Sequence, residues 1–245
     1  MFDFLKKNKT PDPIFEMLGT DMHNHLIPCV DDGSRSTEES IACIRTMQQL
    51  GYKRIYITPH FQSPRFPNNE DDIKQRYESL RAALAEKGVT MEMAGVAGEY
   101  RIDDSFAHRM ESSSFLKIND KYVLVELSLH QQRMGVEEVM FDMQMKGYEV
   151  ILAHPERYPY FNVHSQKTEQ LKEQGVYFQL NILSLNGFYG ESAQRRAIDF
   201  LNAGWVEFMG TDMHNTTYAQ ALTDAARNKR IRKILETHKF LNTEL

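Results

Sequence analysis

Two histidines one residue apart, His23 and His25, lie in the stretch Thr20-Asp21-Met22-His23-Asn24-His25-Leu26. In an extended strand residues i and i+2 project from the same face, so both imidazoles would leave one short strand together as a pair of metal ligands. Two ordinary surface histidines give the same short pattern. Later strand-like runs decide between the readings, because they too end in ligand-type residues: His60, Glu99, Glu126, His154, Asn181, and Asp212 with His214. Glu126 closes the apolar run Val123-Leu124-Val125, where an ionised carboxylate is costly without a cation or partner. A structural salt bridge would account for Glu126 taken alone, but not for the whole set. Imidazoles and carboxylates without cysteine suit Mn, Fe or Zn rather than a thiolate site. With Asp32 the candidates number nine, too many for one ion. Two or three ions sharing a bridging carboxylate would use them all. Three divalent ions bring +6 against -4 from Asp32, Glu99, Glu126 and Asp212, leaving about +2 for an anionic substrate. That balance points to phosphate-ester hydrolysis by a metal-activated hydroxide, with two ions flanking an in-line displacement.

The elements that must carry these residues alternate between strand and helix. Ser36-Thr37-Glu38-Glu39 fits a capping box; Ile41, Ile44, Met47 and Leu50 follow at helical spacing, and Gly51 stands where a helix-ending glycine belongs. The strand Arg54–His60 comes next. The unit then recurs: a helical stripe Ile73, Tyr77, Leu80, Leu84 precedes a strand from Met91 to Ala97, and a short helix near Asp103–Ser113 precedes the strand Tyr122–Leu127. Helical segments around Val139–Met143, Leu171 and Ala193–Leu201 precede strands at Val150–His154, Tyr177–Asn181 and Val206–His214, and a last helix of about Tyr218 to Thr237 closes the chain. Strands apolar along their length, alternating with helices, predict a parallel sheet covered by helices. About seven such units favour a barrel over a flat doubly wound sheet. In a barrel, functional residues collect at the C-terminal strand ends, where six of the seven units carry an imidazole or carboxylate.

Composition narrows the classes further. At 245 residues with 41% hydrophobic content, the chain suits one α/β domain. Its net charge of -5 argues against a general nucleic-acid binder. No apolar run approaches the roughly 18 residues that a spanning helix needs. The N-terminal stretch Met1–Lys9 lacks a secretory h-region, and Cys29 and Cys43 alone give no disulfide framework. A soluble cytoplasmic enzyme is the expectation, with residues 1–19 as a loose leader and 20–245 as one domain. Phe2, Phe4 and Leu5 of that leader could dock on a partner or on the domain itself. No GxGxxG or GxxxxGKS loop is present, which weakens a nucleotide-binding reading.

Taken together, His23-Asn24-His25, Asp31-Asp32-Gly33, Pro59-His60, Gly98-Glu99, Glu126, His154-Pro155-Glu156-Arg157-Tyr158 and Thr211-Asp212-Met213-His214-Asn215 resemble the polymerase-and-histidinol-phosphatase (PHP) superfamily. The pattern is most similar to its bacterial manganese-dependent protein-tyrosine phosphatases of capsular and exopolysaccharide loci, over residues 20 to 235, with Thr211 in place of the more usual serine. The resemblance implies a distorted seven-stranded (β/α) barrel, TIM-like, with a trinuclear centre. His23, His25, Glu99 and Asp212 would hold one ion; Glu99 would bridge to a second shared with Glu126 and His154; Asp32, His60 and His214 would hold the third. Asp31 competes with Asp32 as the ligand, and Asp32 is favoured. Arg157 would bind phosphate through its fork, unless it serves only a salt bridge to a carboxylate such as Glu156. The implied substrate is the tyrosine-rich tail of a partner bacterial tyrosine kinase, gripped between loops Phe61–Asn69 and Leu129–Gly135. Arg65 and Arg133 there read as contacts or as solvated loop charge. Direct attack on phosphorus with no phosphoenzyme is expected, Asp32 or water protonating the leaving group. The oligomeric state is open.

Rival readings remain in view. Cys29 and Arg35, with Ser36, reproduce the Cys-x5-Arg-Ser signature of thiolate phosphatases. Asp31 and Asp32 inside that loop would repel a phosphate dianion. A histidinol-phosphate phosphatase would share the metal centre and differ in substrate. A metal-stabilised module that binds a phosphopeptide without cleaving it would use the same ligands. His108, His164 and His238 read as surface residues, and His130 as a residue near the pocket.

Overall fold

The computed structural model describes residues 12–112 and 115–245. Phe2, Phe4 and Leu5 therefore lie outside the described residues. In chain order the strands are β1 (Thr20–Asp21), β2 (Arg54–Ile57), β3 (His60–Phe61), β4 (Glu92–Val96), β5 (Glu99–Arg101), β6 (Tyr122–Glu126), β7 (Glu149–Ala153), β8 (Tyr177–Asn181) and β9 (Phe208–Gly210). The helices are α1 (Thr37–Gln49), α2 (Glu70–Glu86), α3 (Phe106–Ser112), α4 (Val136–Met145), α5 (Gln166–Glu173), α6 (Ile182–Leu185), α7 (Glu191–Asn202), α8 (Thr216–Ala225) and α9 (Lys229–Thr237). Capping chemistry sets several of their starts. Ser36 accepts from the Glu39 backbone N–H, while the Glu39 carboxylate reaches the N–H of Arg35, one residue before the cap. The expected last helix is two helices, because Asn228 accepts from the Arg230 N–H and starts α9 afresh.

All strand pairs are parallel, in a three-stranded sheet β1-β2-β4 and a six-stranded sheet β3-β5-β6-β7-β8-β9. The ladders thus bear out the expected parallel α/β architecture but draw no closed barrel, and the distorted seven-stranded barrel expected from the sequence is not seen as one continuous sheet. Two runs are broken where the chain passes from one sheet to the other, β2 from β3 at Thr58-Pro59 and β4 from β5 at Ala97-Gly98. Proline cannot donate to a ladder, and only carbonyl contacts cross here: Ala97 N–H to Ile57 O at 2.8 Å and Glu99 N–H to Pro59 O at 2.9 Å. Between β1 and β9 there is no ladder. A single bridge, Asn24 with Met213, joins the chain beyond β1 to the chain beyond β9. Below it the buried Asn242 takes up backbone groups of both strands: it accepts from Met209 N–H and donates to Met209 O and Thr20 O. Backbone groups at a sheet edge need partners when buried, and side chains supply them: Asn242 here, and Asp21, which accepts from Thr211 N–H at 2.8 Å.

The core lies in two places. Val123, Val125, Val150 and Leu152 face the helices and join the larger cluster. Met22, Leu124, Ile151, Ala153 and Phe208 alternate with them and fill the inner side of the sheets. The second half of the leader belongs to this core: Ile14, Phe15 and Leu18 are buried in or beside a short 3-10 turn.

Candidate metal centre

Register brings the ligand-type residues together. His60 and Glu99 are direct partners across β3 and β5, and Arg101 and Glu126 are partners across β5 and β6. His23 and His25 follow β1, held beside Asp212 and Met213 by Asp212 N–H to His23 O and His25 N–H to Met213 O, both 2.8 Å. Gly210 permits this approach, since a Cβ there would sit 2.9 Å from the His23 Cβ. Two of the residues at strand ends hold left-handed backbone, His154 at φ 35° and Asp212 at φ 52°. Such conformations cost of order 1–3 kcal/mol in non-glycine residues and cluster at functional sites.

Glu99 is the hub. Its Oε1 lies 3.1 Å from His154 Nε2 and 3.4 Å from His23 Nε2; its Oε2 lies 2.9 Å from His60 Nδ1 and 3.4 Å from His25 Nε2. Asp212 Oδ1 stands 3.3 Å from His25 Nε2 and 3.6 Å from His23 Nε2. Glu126 Oε1 is 3.7 Å from His154 Nε2. Asp32 Oδ1 faces His60 Nε2 at 3.4 Å and His214 Nε2 at 3.7 Å. All nine sequence candidates therefore meet in one region, and four overlapping triads of their ligand atoms each fall within 4.8 Å. His60 shows one nitrogen to Glu99 and the other to Asp32, so its position suits either neighbouring ion.

Asp31 and Asp32 part company here. Asp31 accepts from His25 Nδ1 at 2.8 Å, from His60 N–H at 3.0 Å and from Gly33 N–H at 2.9 Å. It orients the His25 imidazole from behind and holds the His60 backbone, while Asp32 faces the His60 and His214 rings directly. Gly33 sits so close to the His25 carbonyl that a Cβ would fall 2.1 Å from its oxygen. His23 is fixed in the same manner, with Nδ1 2.7 Å from Gln179 Oε1.

Burial sharpens the electrostatics. It would push the Glu99 carboxyl up, but the charges of His23 and His60 hold it well below the usual carboxylate range. Asp212 is likewise held low against burial, chiefly by His214. Burial opposes a charged His25, yet Asp31 raises it well above its ordinary value. A fit to cations is also visible in orphaned atoms. His60 Nδ1 and Glu99 Oε2 lie 2.9 Å apart yet neither has a hydrogen-bond partner, a state that buried polar groups rarely hold without an ion or water. The donor set is mixed imidazole and carboxylate, as hard or borderline divalent ions require.

The centre floors a cavity of about 320 Å³ that Arg65, Arg101, Arg157, Leu129, His130 and Tyr218 also line. Arg157 Nη1 meets Asp212 Oδ2 at 2.7 Å, and its guanidinium lies 4.4 Å from the Tyr189 ring centre. The salt-bridge partner of Arg157 is thus Asp212 and not Glu156, which is buried against Ser184 and Asn181. Arg101 pairs with Glu126 at 2.6 Å, so the structural salt bridge weighed for Glu126 exists alongside its approach to His154. Sequence reading passed over Arg101, Gln179 and Tyr189. Arg101 had a usable signal, since it lies two residues after Glu99 on the same strand face. Asn181, read as a strand end, donates to Asp212 Oδ2 at 2.8 Å. Of the loop arginines, Arg65 pairs with Asp32 at 3.2 Å and Arg133 with Asp104 at 2.7 Å. The Cys29–Arg35 loop turns several amides away from any anion: Cys29 N–H is spent on Ser34 O, Gly33 N–H on Asp31, Ser34 N–H on His25 O and Arg35 N–H on Glu39.

Fold and site together define a parallel α/β protein with a buried, multi-donor candidate metal centre under an arginine-lined cavity. The chain belongs to the family described as capsular polysaccharide synthesis, CpsB/CapC, which matches residues 19–239. It is 26% identical over 196 residues to the tyrosine-protein phosphatase YwqE of Bacillus subtilis, covering 80% of this chain and 77% of that protein. To the tyrosine-protein phosphatase CpsB of Streptococcus pneumoniae it is 29% identical over 201 residues, covering 80% and 82%. A solved structure from work on YwqE and CpsB, described as unique metal-dependent tyrosine phosphatases, superposes with a TM-score of 0.74 at 24% identity, covering 89% of this chain and 87% of that one. Among the described residues no helix is long and apolar enough to cross a membrane.

Proposed function

We propose that this chain is a metal-dependent protein-tyrosine phosphatase acting on a phosphotyrosine protein, in the cytoplasm, with a bacterial tyrosine kinase tail as the substrate. One observation carries the reading: nine ligand-type residues from strand ends far apart in sequence converge beneath a cavity that Arg157 lines. The names of the relatives support it. The parallel sheets and the Asn24–Met213 bridge support reading the fold as a distorted seven-stranded barrel of the PHP type, with 20–245 as one catalytic domain.

Two or three divalent ions, Mn²⁺ first and Fe or Zn as substitutes, would be held by His23, His25, Asp32, His60, Glu99, Glu126, His154, Asp212 and His214. When bound, such ions lower the pKa of water and neutralise charge on a phosphoryl group. Arg157 offers a planar fork whose other N–H groups can take two phosphate oxygens while Nη1 stays on Asp212. Tyr189 beneath the guanidinium fixes its plane. In the ion-free site burial pushes the Asp32 carboxyl up, but His214 and His60 hold it below the usual range. Asp32 faces both rings as a ligand would, and Asp32 or water supplies the proton to the leaving phenolate. The open cavity admits a side chain presented by a flexible tail.

The test is hydrolysis of 4-nitrophenyl phosphate and of phosphotyrosine peptides by purified protein with Mn²⁺, alongside metal analysis. Turnover that chelator suppresses and Mn²⁺ restores is expected. Binding of phosphopeptide without turnover under any divalent ion would replace the enzyme with a binding module. A strong preference for histidinol phosphate would move the assignment to a small-molecule phosphatase.

A further inference from the structure

A second cavity adjoins the first. Its volume is about 420 Å³, and it lies between α3 and α4 with a floor of Ile102, Phe106, Met110 and Val139. The same two chain segments run past both cavities: Arg101 and His130 line the first, while Ile102 and Arg133, one and three residues further on, line the second. Three residues of extended chain span at most about 10 Å, so one peptide can occupy both. On the α4 side the groove is bordered by the exposed Met145. Of five exposed large hydrophobic side chains among the described residues, Met134, Phe141 and Met145 lie on or just before α4, with Met145 72% exposed. The rim is acidic. Asp103, Asp104, Glu111 and Asp142 surround the groove against Arg133 and Lys146. Arg133 is committed to Asp104, and Lys146 Nζ to the Met110 carbonyl.

Resting on the phosphatase reading above, we propose that this groove is a substrate-recognition subsite. It takes an apolar side chain next to a lysine or arginine, on the same peptide strand as the phosphotyrosine and about three to four residues from it. The apolar floor buries the side chain, which drives association roughly in proportion to the area removed from water. Asp142 and Glu111 meet the neighbouring cation. The catalytic cavity has the opposite character, with Arg65, Arg101 and Arg157 suited to the dianion. Substrate selection then rests on two poles, phosphate at one and an apolar-basic pair at the other. Small aryl phosphates fill only the first.

The experiment uses the Mn²⁺-loaded full chain and three substrates: 4-nitrophenyl phosphate, a phosphotyrosine peptide with Leu-Lys pairs placed three to four residues on either side, and the same peptide with Glu-Glu pairs. Wild type is expected to favour the Leu-Lys peptide in kcat/KM on the order of tenfold, through KM. Met145→Glu and Asp142→Lys should each narrow that ratio toward one, leaving 4-nitrophenyl phosphate turnover unchanged. Both side chains are exposed, so the fold should tolerate either change. Equal turnover of the two peptides by wild type would overturn the subsite while leaving the phosphatase intact. So would peptide ratios unmoved by both variants, or a concentration-dependent dimer that Met145→Glu alone dissolves, which would assign this face to a second copy. No turnover of 4-nitrophenyl phosphate under any divalent ion would instead remove the phosphatase reading, and the subsite with it.

Discussion

At the scale of single residues, Arg157 is held by two different forces. Its Nη1 donates to Asp212 at 2.7 Å, and the guanidinium plane rests on Tyr189. Lysine would keep the charge but not the fork or the stacked plane. Arg157→Lys is therefore expected to lower kcat on the order of 10²-fold with metal content unchanged, as steady-state kinetics and elemental analysis would show; near-wild-type kcat would remove the phosphate-binding role. Asp31→Asn tests orientation rather than ligation. Losing the anionic acceptor behind the His25 ring should weaken metal affinity by about 10–100-fold, measured by competition with a chelating dye. Cys29→Ser should leave turnover intact, and Cys43, buried with its thiol pushed up to about 12, should resist alkylation. The candidate ligands, Asp32 apart, stood out in the sequence because they fall at or just beyond the ends of strand-like runs, where an imidazole or carboxylate is conspicuous. The left-handed backbone at His154 and Asp212 was not, since periodicity assumes the regular strand that those residues leave. Nor was the Arg157–Asp212 pair, whose partners are distant in sequence and meet only through the fold.

At the scale of elements, the gap between β1 and β9 is the part of the architecture that strand periodicity could not foresee. The expected first and last strands covered Thr20–Leu26 and Val206–His214, yet regular pairing stops at Asp21 and Gly210. Both chains leave the ladder to aim His23, His25, Asp212 and His214 inward, so closure is ceded to the centre. Asn242 compensates with three hydrogen bonds to backbone atoms of Thr20 and Met209. Nothing in Leu241-Asn242-Thr243 announces this, because an asparagine near a chain end is ordinarily a turn residue. Replacing it leaves buried backbone groups without partners. Asn242→Ala should cost about 1–3 kcal/mol in urea unfolding of the ion-free protein, whereas an unchanged midpoint would show that the Asn24–Met213 bridge and the Asp21–Thr211 bonds close the gap without it. The alternation of helix and strand was readable throughout, and so was the α1 cap at Ser36. The split between α8 and α9 was missed because Ile231 and Leu235 continue the apolar stripe past the break.

For the whole molecule, the centre ties folding to the ions and to pH. Burial pushes the His60 imidazole down, yet the Glu99 carboxylate and Asp32 outweigh it and raise the ring to about 10 in the ion-free protein. A group raised in the folded state stabilises fully below its unfolded value, about 6.5, and that contribution is lost as pH rises through about 10. Glu99 and Asp212 are depressed instead; their contribution holds above about pH 4 and fades only in stronger acid. Chelator-treated protein should therefore be most stable in mild acid and lose thermal stability from about pH 6.5 to 10. Metal reverses the trend, because an imidazole must shed its proton to ligate. Ions that bind only the folded state raise its melting temperature by mass action, and here they do so more strongly as pH rises. Calorimetric scans with and without Mn²⁺ should diverge toward alkaline pH, and titrations in buffers of different ionisation enthalpy should show protons released on uptake. Parallel curves with no proton release would mean that the histidines are neutral before the ions arrive, and that this cluster of carboxylates does not hold protons in their place.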